Sequence, residues 1–208
     1  MNRCAVWLLL FAGVAASAAD DPRIVFSKTF PGSTPPFFTI TVDRSGMASY
    51  NETTDPDNAE TFKLEESSTR NIFELADRLD HFRVPLEATN VKVANMGLKA
   101  FRWEAGAERN ESKFNYSASE DARNLATCFE NIAESERIVV DLRRAIKHDR
   151  LGVNDAVLRL WKSWDNKHLM GTPQMLPLLD EVARNEVYIH MAREKAAELA
   201  EAIRAASK

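Results

Sequence analysis

The sequence predicts an α+β protein: a small antiparallel sheet with one covering helix, followed by an all-α helical hairpin or bundle. Two observations predict it. Between Ile24 and Tyr116, short apolar runs are separated by turn residues, and Phe38-Thr39-Ile40-Thr41-Val42 alternates with period two, as a strand with one buried face does. From Ser119 onward Leu125, Ile132, Val139 and Ile146 recur every seven residues, with Cys128, Ser135 and Leu142 at the intervening seam positions. That a/d pattern belongs to long helices. The expected units are residues 19–117 for the sheet part and 118–208 for the helical part.

The chain opens on a leader. Arg3 supplies its positive end, Ala5 to Ala15 form an apolar run, and Ala16-Ser17-Ala18 gives the small-x-small pattern of a cleavage site. The run is far short of the ~20 residues that span a bilayer. Residues 1–18 are therefore expected to be a signal peptide cut after Ala18, which places the mature protein in a periplasm or outside the cell.

In the sheet part, Ile24-Val25-Phe26 is a first strand and Phe30 to Pro36 a loop, by its Pro-Gly-Ser-Thr-Pro-Pro content. Phe38 to Val42 and Met47 to Tyr50 make a hairpin through Asp43-Arg44-Ser45-Gly46. Thr61 to Leu64 is one more short strand. Ser67 or Ser68 is expected to cap a helix whose stripe is Ile72, Phe73, Leu75, Ala76 and Leu79, ending near Phe82 and before Pro85. Val91 to Ala94, Leu98 to Glu104 and Ser112 to Tyr116 are three further expected strands, the last two joined through Ala105-Gly106.

In the helical part, a first helix of roughly thirty residues follows Ser119, running ~45 Å at 1.5 Å per residue. A shorter one is expected after Asn154 as cap, with Val157, Leu158, Trp161 and Trp164 facing inward. Thr172-Pro173 has the cap and first-turn proline that open another. A second heptad series closes the chain: Val182, Ile189, Ala196 and Ile203, alternating with Asn185, Ala192, Leu199 and Ala206. The two seams are expected to pack as an antiparallel pair.

Residues 24–105 resemble a domain of unknown function found in bacterial exported proteins. The residues that carry this are the loop Phe30 to Pro36, the strand Phe38 to Val42 with its Asp43 to Gly46 turn, Tyr50 in the return arm, the helix Phe73 to Phe82 and the strand pair Val91 to Trp103. The cysteine often seen near the first loop of that family is absent. The resemblance implies the sheet fold and an exported, bacterial setting, and it implies no activity.

Composition excludes several classes. There are 27 basic and 31 acidic side chains, a net charge of −4, and loss of the leader removes Arg3 and no acid. A nucleic-acid footprint needs a basic stripe, so no nucleic-acid partner is expected. Every apolar run after the leader is broken by charge, so no membrane span is expected in the mature chain. Cys4 lies in the leader and Cys128 stands alone, so packing rather than disulfides must hold the fold.

Catalytic motifs are lacking: no Gly-x-Ser-x-Gly, His-Glu-x-x-His, Cys-x-x-Cys, phosphate-cradling glycine loop or dinucleotide fingerprint occurs, and no cofactor is expected. The sharpest metal candidate is Glu186, His190 and Glu194, spaced by four and stacked on one face of an expected helix. It is the basis of an alternative, metal-dependent enzyme. Asp55 to Glu66 approaches a calcium loop but has Ala59 where a ligand is needed and Glu60 where glycine is needed. Candidate binding residues are Phe37 and Phe38, carried by the proline-rich loop, and Trp161 and Trp164 as aromatic anchors. Asn51, Asn110 and Asn115 open Asn-x-Ser/Thr tripeptides, which would be glycan acceptors only in a eukaryotic pathway. The expected role is non-enzymatic binding, with a protein partner or self-association through the helical half.

Overall fold

A computed structural model describes residues 21–206. The leader, with Cys4 and the expected cut near Ala18, lies outside the described residues. Six strands form one antiparallel sheet: β1 (Arg23–Thr29), β2 (Phe37–Asp43), β3 (Met47–Asn51), β4 (Glu60–Lys63), β5 (Leu98–Ala105) and β6 (Glu108–Phe114), in the order β4-β3-β2-β1-β5-β6. Local hairpins build both flanks, and β5 returns to pair with β1 at the centre.

Register puts the apolar residues on one face. Ile24 lies between Val42 and Trp103, and Phe26 between Ile40 and Phe101, all in one buried cluster. α1 (Glu66–Arg78) and the first half of α2 (Glu120–His148) cover that face. The cluster is aromatic: Phe26 stacks on Phe129 of α2 with ring centroids 5.0 Å apart, and Phe101 lies 5.1 Å from Phe82. The α+β class follows directly, with about 49% helix and 20% strand segregated along the chain.

The second half of α2 belongs to a different cluster. Ile138, Val139, Leu142 and Ala145 are buried with residues of α3 (Gly152–Asp165), α4 (Leu176–Arg184) and α5 (His190–Ala206). The two cores meet inside α2, between Ala133 and Ile138. α2 is long enough to be shared because Ser119 caps it cleanly, its hydroxyl accepting from Ala122 N at 3.3 Å, and because its seam runs unbroken from Leu125 to Leu142.

Several local expectations are corrected. Val91 to Ala94 is not a strand but part of a loop in which Val91 and Val93 are exposed. β1 is already paired on both sides, and Asn115 pins the loop by donating to Ala94 O at 3.0 Å and accepting from Met96 N at 2.7 Å. Neither Ser67 nor Ser68 caps α1; the helix starts one turn position earlier, with Glu65 at the cap. Asn154 lies inside α3, whose first amides are bonded instead by Asp149, accepting from Leu151 N and Gly152 N. The closing heptad series is broken between α4 and α5, because Asn185 folds its side chain onto Val187 N at 3.1 Å and ends the helix. Consequently α5 packs against α4 and α3, and α2 packs mainly against α3, rather than α2 and α5 forming one antiparallel pair.

The junction between the cores uses a glycine where no other residue fits well. Gly171 has φ +68°, and a Cβ there would lie 3.1 Å from the Phe62 ring. Gly171→Ala is expected to lower stability by about 1–2 kcal/mol, from the left-handed backbone and the displaced ring. A thermal melt matching wild type would show that this turn relaxes freely.

Candidate interaction surface

The helical layer ends in two turns that lie side by side. One joins α2 to α3 at Asp149–Leu151, and the other joins α4 to α5 at Asn185–Ile189. Arg150 ties them, donating from Nη2 to Val187 O at 3.0 Å. Four large apolar side chains are exposed there: Leu151 at 82%, with Val187, Ile189 and Met191 each near half. Tyr188, between them in sequence, is buried in the helical cluster and holds the turn down.

This patch arises from local rules. Asp149 stops α2 and accepts from the first amides of α3, which turns Leu151 outward. Asn185 stops α4, and the turn that follows carries Val187 and Ile189 outward while Tyr188 points in. Large apolar residues clustered on a surface mark a contact site more often than scattered single ones do. Here three lie on two joined turns, and the fourth, Met191, is in the first turn of α5.

The Glu186, His190 and Glu194 arrangement is not formed. Glu186 sits in the turn before α5, and His190 is the first residue of that helix, so the three do not share a helix face. His190 Nδ1 lies 3.8 Å from Glu194 Oε2, and both side chains are more than half exposed. Among the described residues, no group of three or more His, Cys, Asp or Glu side chains is placed to hold a metal ion. Asp55 is spent on a turn, accepting from Asp57 N at 3.1 Å, and Glu66 pairs with Arg70 at 2.7 Å on α1.

Phe37 and Phe38 are separated by the pleat. They open β2, so consecutive side chains take opposite faces. Phe38 enters the sheet-side core, 5.9 Å from the Phe26 ring, while Phe37 lies on the other face in register with Thr29 and Leu98. Trp161 and Trp164 pack against the helical cluster, with Lys195 Nζ 4.4 Å above the Trp161 ring. Phe38 and the tryptophans thus fall in different cores and do not make one surface.

The turn after α1 carries His81, which makes an acid–base pair with Asp77 of α1. Asp80, His81 and Phe82 have φ of 49°, 50° and 65°, three consecutive non-glycine residues in the left-handed region. His81 Nε2 lies 3.0 Å from Asp77 Oδ1, and its ring stacks on Trp103 with centroids 4.0 Å apart. The strained turn buries Phe82 under the sheet, and the His81 contacts hold it there. His81 Nδ1 is buried without a hydrogen-bond partner, so no hydroxyl or thiol is joined to it as in a nucleophile–histidine pair. The i, i+4 spacing of Asp77 and His81 was the available signal; the reversed turn was not legible.

The remaining polar groups act structurally. Glu104 is held below the ordinary carboxylate range by the Arg23 guanidinium at 2.5 Å and by Arg102, against the opposing pull of its burial. Burial pushes the Cys128 thiol up, away from the reactive thiolate. The tripeptide asparagines are engaged: Asn51 Nδ2 donates to Asp55 O at 2.5 Å, Asn110 to Glu108 at 2.9 Å and Asn115 to Ala94 O at 3.0 Å.

Among the described residues, no helix is long and apolar enough to cross a membrane. No family model matches the chain, and no curated protein matches it significantly.

Proposed function

We propose that this is an exported, non-enzymatic interaction protein that takes hold of a protein partner, or a second copy of itself, at the tip of its helical layer. The observation that carries the proposal is the exposure of Leu151, Val187 and Ile189 on two turns joined by Arg150, with Met191 exposed in the first turn of α5. Burying these four side chains in a partner would remove apolar surface from water, at roughly 25 cal/mol per Å². The leader residues Arg3 to Ala18 and the resemblance of residues 24–105 support export from a bacterial cell. The sheet part serves as the platform that shares α2 with the contact layer.

A photo-crosslinking amino acid at position 151 or 187, introduced into the full chain in its native envelope, tests this. Both positions are expected to give the same discrete crosslinked species, while position 113 on edge strand β6 gives none. Leu151→Glu combined with Ile189→Glu is expected to abolish that species without changing the melting temperature, since both residues are exposed. Identical crosslinks from position 113, or none from 151 and 187, would remove the tip as the contact site.

A further inference from the structure

One short segment crosses the seam between the two cores. Met170 is buried in the sheet-side cluster and Met175 in the helical cluster, so the chain leaves one core and enters the other within this segment. The side chains of Glu65, at the cap of α1, and of Ser135 and Glu136 of α2 hold it in place. Met170 N donates to Ser135 Oγ at 3.0 Å, Gly171 N to Glu65 Oε2 at 3.1 Å and Thr172 N to Glu65 Oε1 at 2.7 Å. The Thr172 hydroxyl adds a bond to Glu65 Oε1 at 2.5 Å, and Gln174 Nε2 donates to Glu136 Oε1.

The two carboxyl groups meet the segment on different terms. Glu65 accepts three hydrogen bonds from the segment, two from backbone amides and one from the Thr172 hydroxyl. Glu136 is only 1% exposed, and its donor on the segment is a neutral amide. Burial outweighs what Gln174 and the nearby Arg143 offer a charge at this position. Arg143 of α2 is turned to Glu60 of β4 at 3.0 Å, and Glu60 itself brings a like charge. Tyr50 of β3 gives its hydroxyl to Glu52 at 2.7 Å and is itself influenced by Arg137 and Glu136.

We propose that residues 170–174 form a pH-responsive latch between the two cores, closed over the protonated Glu136 carboxyl and loosened when that group ionises. Burial holds the Glu136 proton up to about 7, whereas a carboxyl facing water titrates near 4.5. Ionisation therefore favours the opened latch. The ratio of open to closed rises as pH climbs from the ordinary carboxyl range to about 7 and then levels off, by up to about tenfold per pH unit within that window. Closure is firmest in acid.

Hydrogen exchange on the full-length protein tests the latch, read at the amides of Met170, Gly171 and Thr172 and corrected for intrinsic rates. Between pH 5 and pH 7.5 these amides are expected to lose about tenfold or more of their protection relative to the amide of Phe101 in β5. Glu136→Gln keeps the shape without the charge and is expected to hold its protection at both pH values. Unchanged protection in the wild type, or the same loss in Glu136→Gln, overturns the proposal. A carbon-13 titration of the Glu136 carboxyl in the wild-type protein gives a reading that needs no variant. Its midpoint is expected near 7, and a midpoint in the ordinary carboxyl range would equally overturn the latch.

Discussion

Val139→Asp is expected to cost about 4 kcal/mol or more at neutral pH, enough to unfold the helical layer of a protein of ordinary stability. Val139 is fully buried in the second half of α2, among apolar residues of α3, α4 and α5, and Arg143, one turn further along α2, is already paired with Glu60 at 3.0 Å. The variant loses the burial of a valine and gains a charge that must either stay unpaired or take up a proton. Val139→Thr, close in shape, separates the two contributions and is expected to cost about 1–3 kcal/mol. Denaturant melts followed by circular dichroism measure both. A midpoint for Val139→Asp equal to wild type would mean that this face of α2 is not core at all.

Phe101→Ala is expected to cost about 3–5 kcal/mol, because the ring sits at the meeting point of the sheet-side core. Its centroid lies 5.3 Å from Phe26, 5.1 Å from Phe82, 5.3 Å from Phe114 and 6.1 Å from Phe129. Those four rings come from β1, the left-handed turn after α1, β6 and α2, so the cavity would be shared by four elements that cannot all collapse into it. Phe101→Leu, which keeps most of the volume, is expected to lose far less. Equal stability of the alanine and leucine variants would show that the cavity refills. The pairing of variants also separates the cores: a hydrogen-exchange map of Phe101→Ala is expected to loosen β5 and β6 first, and one of Val139→Asp to loosen α3 and α5 first.

Phe38 and Phe37 show where sequence reading succeeds and where it stops. The period-two run from Phe38 to Val42 is β2, and the heptad run from Leu125 to Leu142 is the buried seam of α2, because side-chain periodicity is a local property that burial then selects. The face that each phenylalanine takes depends on where the strand begins, and a shift of one residue reverses it. Helix ends behaved likewise: Ser119 caps α2 as its position predicts, whereas Glu65 gives its carboxylate to a turn over a hundred residues away. The tip patch was hidden for a related reason. Ile189 continues the heptad spacing of the last helix, and only the break at Asn185 turns it from seam to surface.

The sequence by itself determined the α+β class, most of the strands, the long α2 with its seam, and the absence of a recognisable catalytic motif. These rest on periodicity, turn residues and residue type, which short windows contain. Tertiary structure alone decided that α2 is shared by two cores, that the final heptad series is split and packs on α3 and α4, and that Val91 to Ala94 stays out of the sheet. It also brought Glu65, Ser135 and Glu136 to residues 170–174 and set Arg150 against Val187. Each of these joins residues far apart in the chain, and such contacts are fixed by which surfaces are left to bury once every local element has formed.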